Sequence, residues 1–185
     1  MNPTPKTWFT ADLHFGHAKC LEYDNAPYAS IEEHDEDIVT KWNATVAPND
    51  IVWLLGDIAI TQSKEKIRPF VERLKNGRKM LVLGNHDRRH GSAENMKFYY
   101  DLGFERVYDR PVILKNFFIL SHEPVFICPQ MPFFNIYGHI HNHPAFATET
   151  EQTMCVCCCR HNYAPVQCKA FDNFVASEHE PPLPF

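Results

Sequence analysis

Polar side chains that could bind a metal or transfer a proton follow several apolar runs of the chain. The central example is Gly-Asn-His-Asp at residues 84–87, directly after the apolar residues 80–83. The amide oxygen of Asn85 is a suitable ligand for a hard or borderline metal, and the imidazole of His86 is a group that can donate or accept a proton. Asp87 could orient the imidazole of His86 through its second ring nitrogen. These residue types predict metal binding combined with proton transfer.

Four further motifs follow apolar runs in the same way. They are Asp-Leu-His at 12–14, Gly-Asp at 56–57, Ser-His at 121–122 and Gly-His-Ile-His at 138–141. In an extended chain residues i and i+2 face the same side, so the first and last of these motifs could each present two ligands together. Any one motif also fits an ordinary loop or helix cap. Together, five polar strand ends predict one shared metal site, because ligands bind beyond the carboxyl ends of the strands in open α/β sheets.

Strands and helices must alternate to bring these motifs together. Ser30 and Glu33 form a capping-box signature for a helix that extends to about Val46, and Ser63 is expected to cap another helix. After Gly103 the pattern is mostly that of strands. An order of βα units followed by a β-rich half favours an α/β fold in which two sheets pack together.

In this order, the motifs resemble those of the calcineurin-like metallophosphoesterases, whose pattern runs Asp-x-His, Gly-Asp, Gly-Asn-His-Asp/Glu, His and Gly-His-x-His. The matched motifs extend from Asp12 to His141. Two departures, Ala11 before the first Asp and Ser121 before the lone His, remove no metal-binding group. Where small members of the family often carry Arg-Pro-Phe, residues 26–28 are Ala-Pro-Tyr, so the arginine that this motif would offer to a substrate is missing.

The resemblance implies a fold and a metal content. The implied fold is a four-layer α/β/β/α sandwich of two mixed sheets flanked by helices, formed as a single domain over residues 1–185. The implied cofactors are two divalent metal ions. Mixed imidazole and oxygen ligands suit Mn, Fe, Ni or Zn better than Mg or Ca, and we choose Mn as the first candidate among them. The resemblance assigns Asp12, His14, Asp57 and His141 to one ion, and Asp57, Asn85, His122 and His139 to the other, with Asp57 shared.

The resemblance also implies a reaction, the hydrolysis of a small phosphomonoester or phosphodiester, such as a nucleotide, by attack of a metal-activated hydroxide. His86 is the expected proton donor to the leaving oxygen, or stabiliser of transition-state charge, and Asp87 its orienting partner. His17 could contact substrate or equally cap the following helix. Residues 88–90 could face an anionic substrate or equally form a solvated basic loop. The candidate substrate contacts are His17, Asn85 and Arg88, the last followed by Arg89 and His90.

Two alternative functions use the same fold. A nuclease acting on single-stranded DNA or RNA is less favoured, because a net charge of −5 and a pI near 6.1 give no general attraction to nucleic acid. A non-catalytic binding scaffold is also less favoured, because such relatives usually lose ligands or the central histidine. This sequence keeps all of them.

Length and composition set further bounds. The 185 residues suffice for one domain with a real core and are too few for two ordinary ones. The first residues lack the apolar core of a signal peptide, and no apolar stretch approaches the roughly 20 residues of a membrane helix. We therefore expect a cytoplasmic protein without membrane contact, and the resemblance implies a small phosphoester as its partner. The sequence does not indicate an oligomeric state.

Four of the seven cysteines lie within residues 155–159. A thiolate zinc site normally shows matched pairs of cysteines spaced to enclose the metal, and this cluster lacks that spacing. We therefore interpret residues 154–160 as a buried strand that uses cysteine as a small apolar side chain.

Overall fold

The computed structural model describes residues 4–61, 63–88, 92–146 and 150–177. None of the helices in these ranges has the length and apolar character that a membrane crossing requires. The strands are β1 (Thr7–Thr10), β2 (Ile51–Leu54), β3 (Arg78–Val82), β4 (Arg106–Tyr108), β5 (Val112–Leu114), β6 (Phe118–Ser121), β7 (Phe134–Tyr137) and β8 (Thr153–Cys155). The helices are α1 (Lys19–Tyr23), α2 (Ile31–Thr45), α3 (Lys64–Arg73), α4 (Ser92–Asp101) and α5 (Lys169–Ala176).

The first sheet has the strand order β1-β2-β3-β4, and every pair in it is parallel. Parallel strands that are covered on both faces have nearly continuous apolar sequences, which explains the runs that precede the motifs. Thr10 pairs with Leu54, and Leu54 pairs with Leu81. The carboxyl ends of β1, β2 and β3 therefore lie side by side, and the polar motifs of the first half emerge at one edge.

The second sheet has the order β5-β6-β7-β8. β5 and β6 form an antiparallel hairpin whose turn residues, Lys115 and Asn116, both have positive φ, whereas β6, β7 and β8 are parallel. A backbone bridge between Ala11 and Cys157 connects the two sheets. The motifs after β6 and β7 therefore emerge next to those of the first sheet.

Two apolar clusters cover the faces of the first sheet. On one face, α2, α3 and α4 bury Trp42, Leu74 and Tyr99 against it. On the other face, the two sheets pack together with α5. Phe171 of α5 makes edge-to-face ring contacts, with centroids 5.4 Å from Phe9 and 5.0 Å from Phe118. This packing fixes the position of one sheet relative to the other, and with it the strand ends that carry the motifs.

The α/β architecture with two sheets and helices is confirmed, with one difference in detail. The first sheet is parallel throughout, and only the second is mixed. The capping box of α2 is also present, since Ser30 Oγ accepts a hydrogen bond from Glu33 N at 3.3 Å. Ser63 does not cap α3 through its side chain, and its hydroxyl donates a hydrogen bond to the Glu65 carboxylate.

The expected strand over residues 154–160 is wrong in its second half. β8 ends at Cys155, and residues 158–161 form a short 3-10 helix. The chain turns because it crosses from the second sheet to the end of β1, where Cys158 N donates to Ala11 O at 2.9 Å. Cys155, Cys157 and Cys158 are buried, as expected for small apolar side chains.

Candidate metal centre

Five predicted ligands have a left-handed backbone conformation. The φ angles are 58° at Asp12, 46° at His14, 56° at Asp57, 72° at His139 and 46° at His141. Such a conformation costs on the order of 1–3 kcal/mol for a residue other than glycine, and it persists only where the surrounding structure enforces it. The paired ligands therefore do not follow the alternation of an extended strand, from which we predicted their common direction. Tight turns beyond the strand ends orient them.

The first group of donors consists of Asp12, His14 and His141. Their ligand atoms lie within 4.8 Å of one another. The two Nε2 atoms are 3.0 Å apart, and Asp12 Oδ1 lies 3.8 Å from that of His14 and 3.6 Å from that of His141. Asp12 Oδ2 accepts a hydrogen bond from His139 N, but Oδ1 is buried and has no hydrogen-bond partner in the described part of the chain. A buried, unpaired carboxylate oxygen beside two imidazole nitrogens fits a cation.

The second group consists of Asp57, His122 and His139, with Asn85 beside them. Asn85 Oδ1 lies 2.9 Å from His122 Nε2 and 3.0 Å from His139 Nδ1. His122 Nδ1 is 2.8 Å from Leu55 O, and because a carbonyl can only accept, Nδ1 carries the proton of the neutral ring. The Nε2 lone pair of His122 then points into the group, as a metal ligand requires.

One oxygen atom faces both groups. Asp57 Oδ2 lies 3.9 Å from His14 Nε2 and 3.3 Å from His122 Nε2, while Oδ1 accepts a hydrogen bond from His86 N at 2.9 Å. Burial raises the pKa of Asp57, but the hydrogen bond and the positive charge of His122 outweigh it and lower the pKa to about 2. Asp57 is therefore a carboxylate placed between the two donor groups.

Two of the histidines, His14 of the first group and His122 of the second, differ in their preferred charge. Burial lowers the pKa of His14 to about 3, so this imidazole is neutral and able to bind a cation. Burial also lowers the pKa of His122, but its hydrogen bond to Asp57 outweighs that effect and raises the pKa to about 9. A proton on His122 can thus balance the charge of Asp57, and a divalent cation would supply that positive charge in its place.

Three motif glycines permit the close approach of these groups. A Cβ atom added at Gly84 would lie 2.1 Å from Asp57 Oδ1, and one at Gly138 would lie 2.6 Å from Asp12 Oδ2. At Gly56 it would lie 2.5 Å from His122 Nδ1. The glycines are therefore needed because the predicted ligands occupy the space that a side chain would fill.

We expect Gly84→Ala to destabilise the fold by about 1–3 kcal/mol, the usual cost of overpacking, and to weaken metal binding by displacing Asp57. Denaturant unfolding of the metal-free protein and a metal titration would measure the two effects. Gly103→Ala is the matched control, since Gly103 has a φ of +89° but no atom within 4 Å of an added Cβ. It should cost stability without a change in metal affinity. Equal metal affinities in both variants would contradict this account of Gly84.

His86 and His17 line a cleft beside the two groups, whereas Arg88 does not. His86 Nε2 lies 3.8 Å from Asp57 Oδ2, and its side chain is 28% exposed. Arg88 Nη1 pairs with Glu123 at 3.1 Å. Arg89 and His90 lie outside the described residues. The cleft has a volume of about 210 Å³ and is lined by His14, His17, Cys20, Tyr23, Asp57, Asn85, His86, His139 and His141.

Asp87 has partners other than the imidazole of His86. Its Oδ2 accepts from Asp57 N at 2.7 Å and from Gly84 N at 2.8 Å, and its Oδ1 accepts from Tyr99 OH at 2.8 Å and Ile58 N at 3.3 Å. These bonds tie the loop after β3 to the loop after β2. The predicted role of Asp87 as the orienting partner of His86 is therefore replaced by that of a brace between two loops. Tyr99 of α4, which the sequence analysis did not single out, is part of this brace.

Asp24 and the cysteine cluster also lie at the centre, and the sequence analysis assigned neither of them to it. Asp24 accepts hydrogen bonds from His141 Nδ1 at 2.9 Å and 3.0 Å. Cys158 Sγ donates to Asp12 O at 3.0 Å. Asp24 and His141 are 117 positions apart, so no local sequence pattern connects them.

Comparison with known proteins places the chain in a family. The sequence profile of the calcineurin-like phosphoesterases matches residues 5–165. The chain is 42% identical over 112 residues to the Gene 66 protein of Mycobacterium phage L5. The matched region covers 55% of this chain and 50% of that protein. It is 35% identical over 83 residues to an uncharacterized protein of Methanocaldococcus jannaschii. This matched region covers 45% of this chain and 47% of that protein. The chain spans about half the length of the curated relatives it matches.

Two solved structures have a similar fold. A protein of unknown function from Aquifex aeolicus superposes with a TM-score of 0.66 at 22% identity, covering 92% of this chain and 100% of that chain. The nuclease MPE of Pseudomonas putida superposes with a TM-score of 0.50 at 24% identity, covering 73% and 61%. At these identities the likeness concerns the fold alone. The family profile matches most of the residues of this chain, and the chain therefore belongs to the calcineurin-like phosphoesterase family.

Proposed function

We propose that this chain is a phosphoric ester hydrolase that uses two divalent cations. The observation that carries the proposal is the pair of donor groups that meet at one atom, Asp57 Oδ2. The proposed ligands of the first cation are Asp12, His14, Asp57 and His141. The proposed ligands of the second are Asp57, Asn85, His122 and His139.

The donor set bears on the identity of the cations and on the substrate. Imidazole, carboxylate and amide ligands suit Mn, Fe, Ni or Zn, and we choose Mn²⁺ as the first candidate. The positive charge of two divalent cations exceeds the negative charge of the Asp12 and Asp57 carboxylates. The amide of Asn85 adds no negative charge. The loaded centre is therefore expected to attract a phosphate anion.

The chain's own residues then divide the work of hydrolysis. When bound, the cations supply an activated water nucleophile near neutral pH and neutralise phosphoryl oxygens as charge develops. His86 lines the cleft, where its Nε2 donates a proton to the leaving oxygen. The bond from its backbone N–H to Asp57 Oδ1 keeps this imidazole next to the shared carboxylate. His17, on the wall of the same cleft, contacts the phosphate.

The size of the cleft favours a small substrate. Its volume of about 210 Å³ lies below the roughly 300–1,000 Å³ of typical small-molecule pockets, so it accommodates the phosphoryl group and the adjoining part of a small ester such as a nucleotide. The cleft also takes residues from the ends of both sheets, which supports one metallophosphoesterase domain over the whole chain. Arg88 is no longer proposed as a substrate contact, because its guanidinium pairs with Glu123 away from the cleft lining.

A metal-dependent activity screen tests the proposal. Chelator-treated protein should be inactive, and Mn²⁺ should restore hydrolysis of nitrophenyl phosphate or bis-nitrophenyl phosphate, and of at least one nucleotide. The two nitrophenyl esters separate monoesterase from diesterase activity. Absence of hydrolysis with each of Mn, Fe, Co, Ni and Zn would overturn the proposal. Cleavage of single-stranded oligonucleotides with a steep salt dependence, and not of small esters, would favour a nuclease instead.

A further inference from the structure

We infer that Asp24 is a positioning residue for the proposed metal ligand His141. The inference rests on the proposed function, because it assigns the Nε2 atom of His141 to a cation. Asp24 is itself outside the set of proposed ligands, and it lies in the turn that ends α1.

The hydrogen bonds between the two side chains fix which ring nitrogen carries the proton. Both carboxylate oxygens of Asp24 lie near His141 Nδ1, at 2.9 Å and 3.0 Å, and the carboxylate is only 5% exposed. Because an ionised carboxylate only accepts, Nδ1 donates and holds the ring proton. The lone pair of the neutral ring is therefore on Nε2, which lies 3.6 Å from Asp12 Oδ1. A carboxylate behind a ligating histidine orients the ring and makes it a stronger ligand.

The backbone of Asp24 strengthens the same connection. Asp24 O accepts a hydrogen bond from Asn142 Nδ2 at 3.0 Å, and Asp24 N donates to Cys20 O at 3.0 Å. Asp24 is thus joined to the ligand loop at two adjacent positions and to α1 at a third. α1 carries Tyr23, which lines the cleft together with His141. Asp24 therefore couples the position of a cleft wall to the position of a metal ligand.

An alternative role for Asp24 is that of a direct ligand in a third cation group. Asp24, His141 and Cys159 have ligand atoms within 4.8 Å of one another. Both oxygens of Asp24 already face the Nδ1 proton of His141, however, and a cation there would have to displace it. Burial also raises the pKa of the Cys159 thiol, which keeps the thiol protonated and a weak ligand. The hydrogen-bonded arrangement is therefore the one we propose.

Asp24→Asn and Asp24→Ala test the inference, with Asp50→Asn as the matched control. Asp50 is also a buried aspartate, and it accepts bonds from Lys6 N, Trp8 Nε1 and Ala47 N. It precedes β2, so it lies at the other end of the first sheet from Asp57. Titration calorimetry with Mn²⁺ should show one binding event weakened by about 10–100-fold in Asp24→Asn, and more in Asp24→Ala. Asp50→Asn should lower the thermal stability of the metal-free protein and leave Mn²⁺ affinity unchanged.

The ring signals of His141 in ¹⁵N-labelled protein give a second readout that a purely structural role would not move. The wild-type and Asp50→Asn proteins should show a proton on Nδ1, and Asp24→Ala should lose this preference. Unchanged Mn²⁺ affinity in both Asp24 variants would overturn the inference even if the wild-type protein hydrolyses esters. Weakened affinity in a protein that binds Mn²⁺ but hydrolyses nothing would support the inference and contradict the proposed function. A wild-type protein that binds none of Mn²⁺, Fe²⁺, Co²⁺, Ni²⁺ and Zn²⁺ would overturn both.

Discussion

Asp57→Asn is expected to weaken Mn²⁺ binding by more than about 100-fold and to remove phosphoester hydrolysis with it, since losing a direct ligand should exceed the effect of losing an outer partner. Asp57 Oδ2 faces His14 and His122, while Oδ1 accepts from His86 N. An asparagine amide has only one oxygen to offer. Its NH₂ group must therefore face either the backbone N–H of His86 or the two cation positions. The negative charge between the two groups is lost as well.

Calorimetric titration with Mn²⁺ and the ester assay would measure both effects of Asp57→Asn. The expected result is the loss of both binding events, since one carboxylate serves both positions. Asp50→Asn is again a suitable control, because it removes a buried carboxylate that also accepts several hydrogen bonds. Two tightly bound ions in Asp57→Asn, with hydrolysis intact, would contradict the role of Asp57 as a shared ligand.

His86→Ala is expected to lower kcat by about 10²–10⁴-fold while the metal ions stay bound, which is the usual contribution of a general acid. The imidazole of His86 is in neither donor group, and alanine retains the backbone N–H that donates to Asp57 Oδ1. The loss should be smallest for nitrophenyl esters, because a good leaving group needs little proton donation. It should be largest for alkyl phosphates.

Steady-state kinetics on esters of graded leaving-group pKa would measure this dependence. His143→Ala is the control, since His143 is exposed and does not line the cleft. An equal loss of kcat on all esters would contradict proton donation by His86 and leave charge stabilisation as its role. Loss of the metal ions themselves in His86→Ala would show that the side chain supports the centre rather than the reaction.

The convergence of the motifs could be predicted from the sequence because of the way parallel strands pack. Each motif follows an apolar run, and the carboxyl ends of parallel neighbours lie at one edge of a sheet. Leu54, for example, pairs with both Thr10 and Leu81, which places the residues after β1, β2 and β3 together. The residue types at these ends then indicate the chemistry.

The contacts that support the ligands could not be predicted in the same way. Asp87 is adjacent to His86 in the chain, but the turn after β3 directs its carboxylate to backbone N–H groups and Tyr99. Adjacency in sequence therefore gave the wrong partner. Asp24 is far from His141 in the sequence, and their contact arises only from the tertiary fold. The preceding strand determines where a polar residue of a tight turn lies. The backbone angles of the turn determine where its side chain points.

The left-handed backbone of the five proposed ligands has a consequence for how this protein can change. Glycine adopts positive φ without steric cost, so the backbone conformation taken alone would favour glycine at Asp12, His14, Asp57, His139 and His141. The non-glycine residues present there therefore carry a conformational cost and supply donor atoms that glycine would lack. Relatives released from the need to bind metal are therefore expected to drift towards glycine first at His139 and His141, whose side chains are not fully buried. Asp12 and Asp57 should change later, because they also accept hydrogen bonds from His139 N and His86 N.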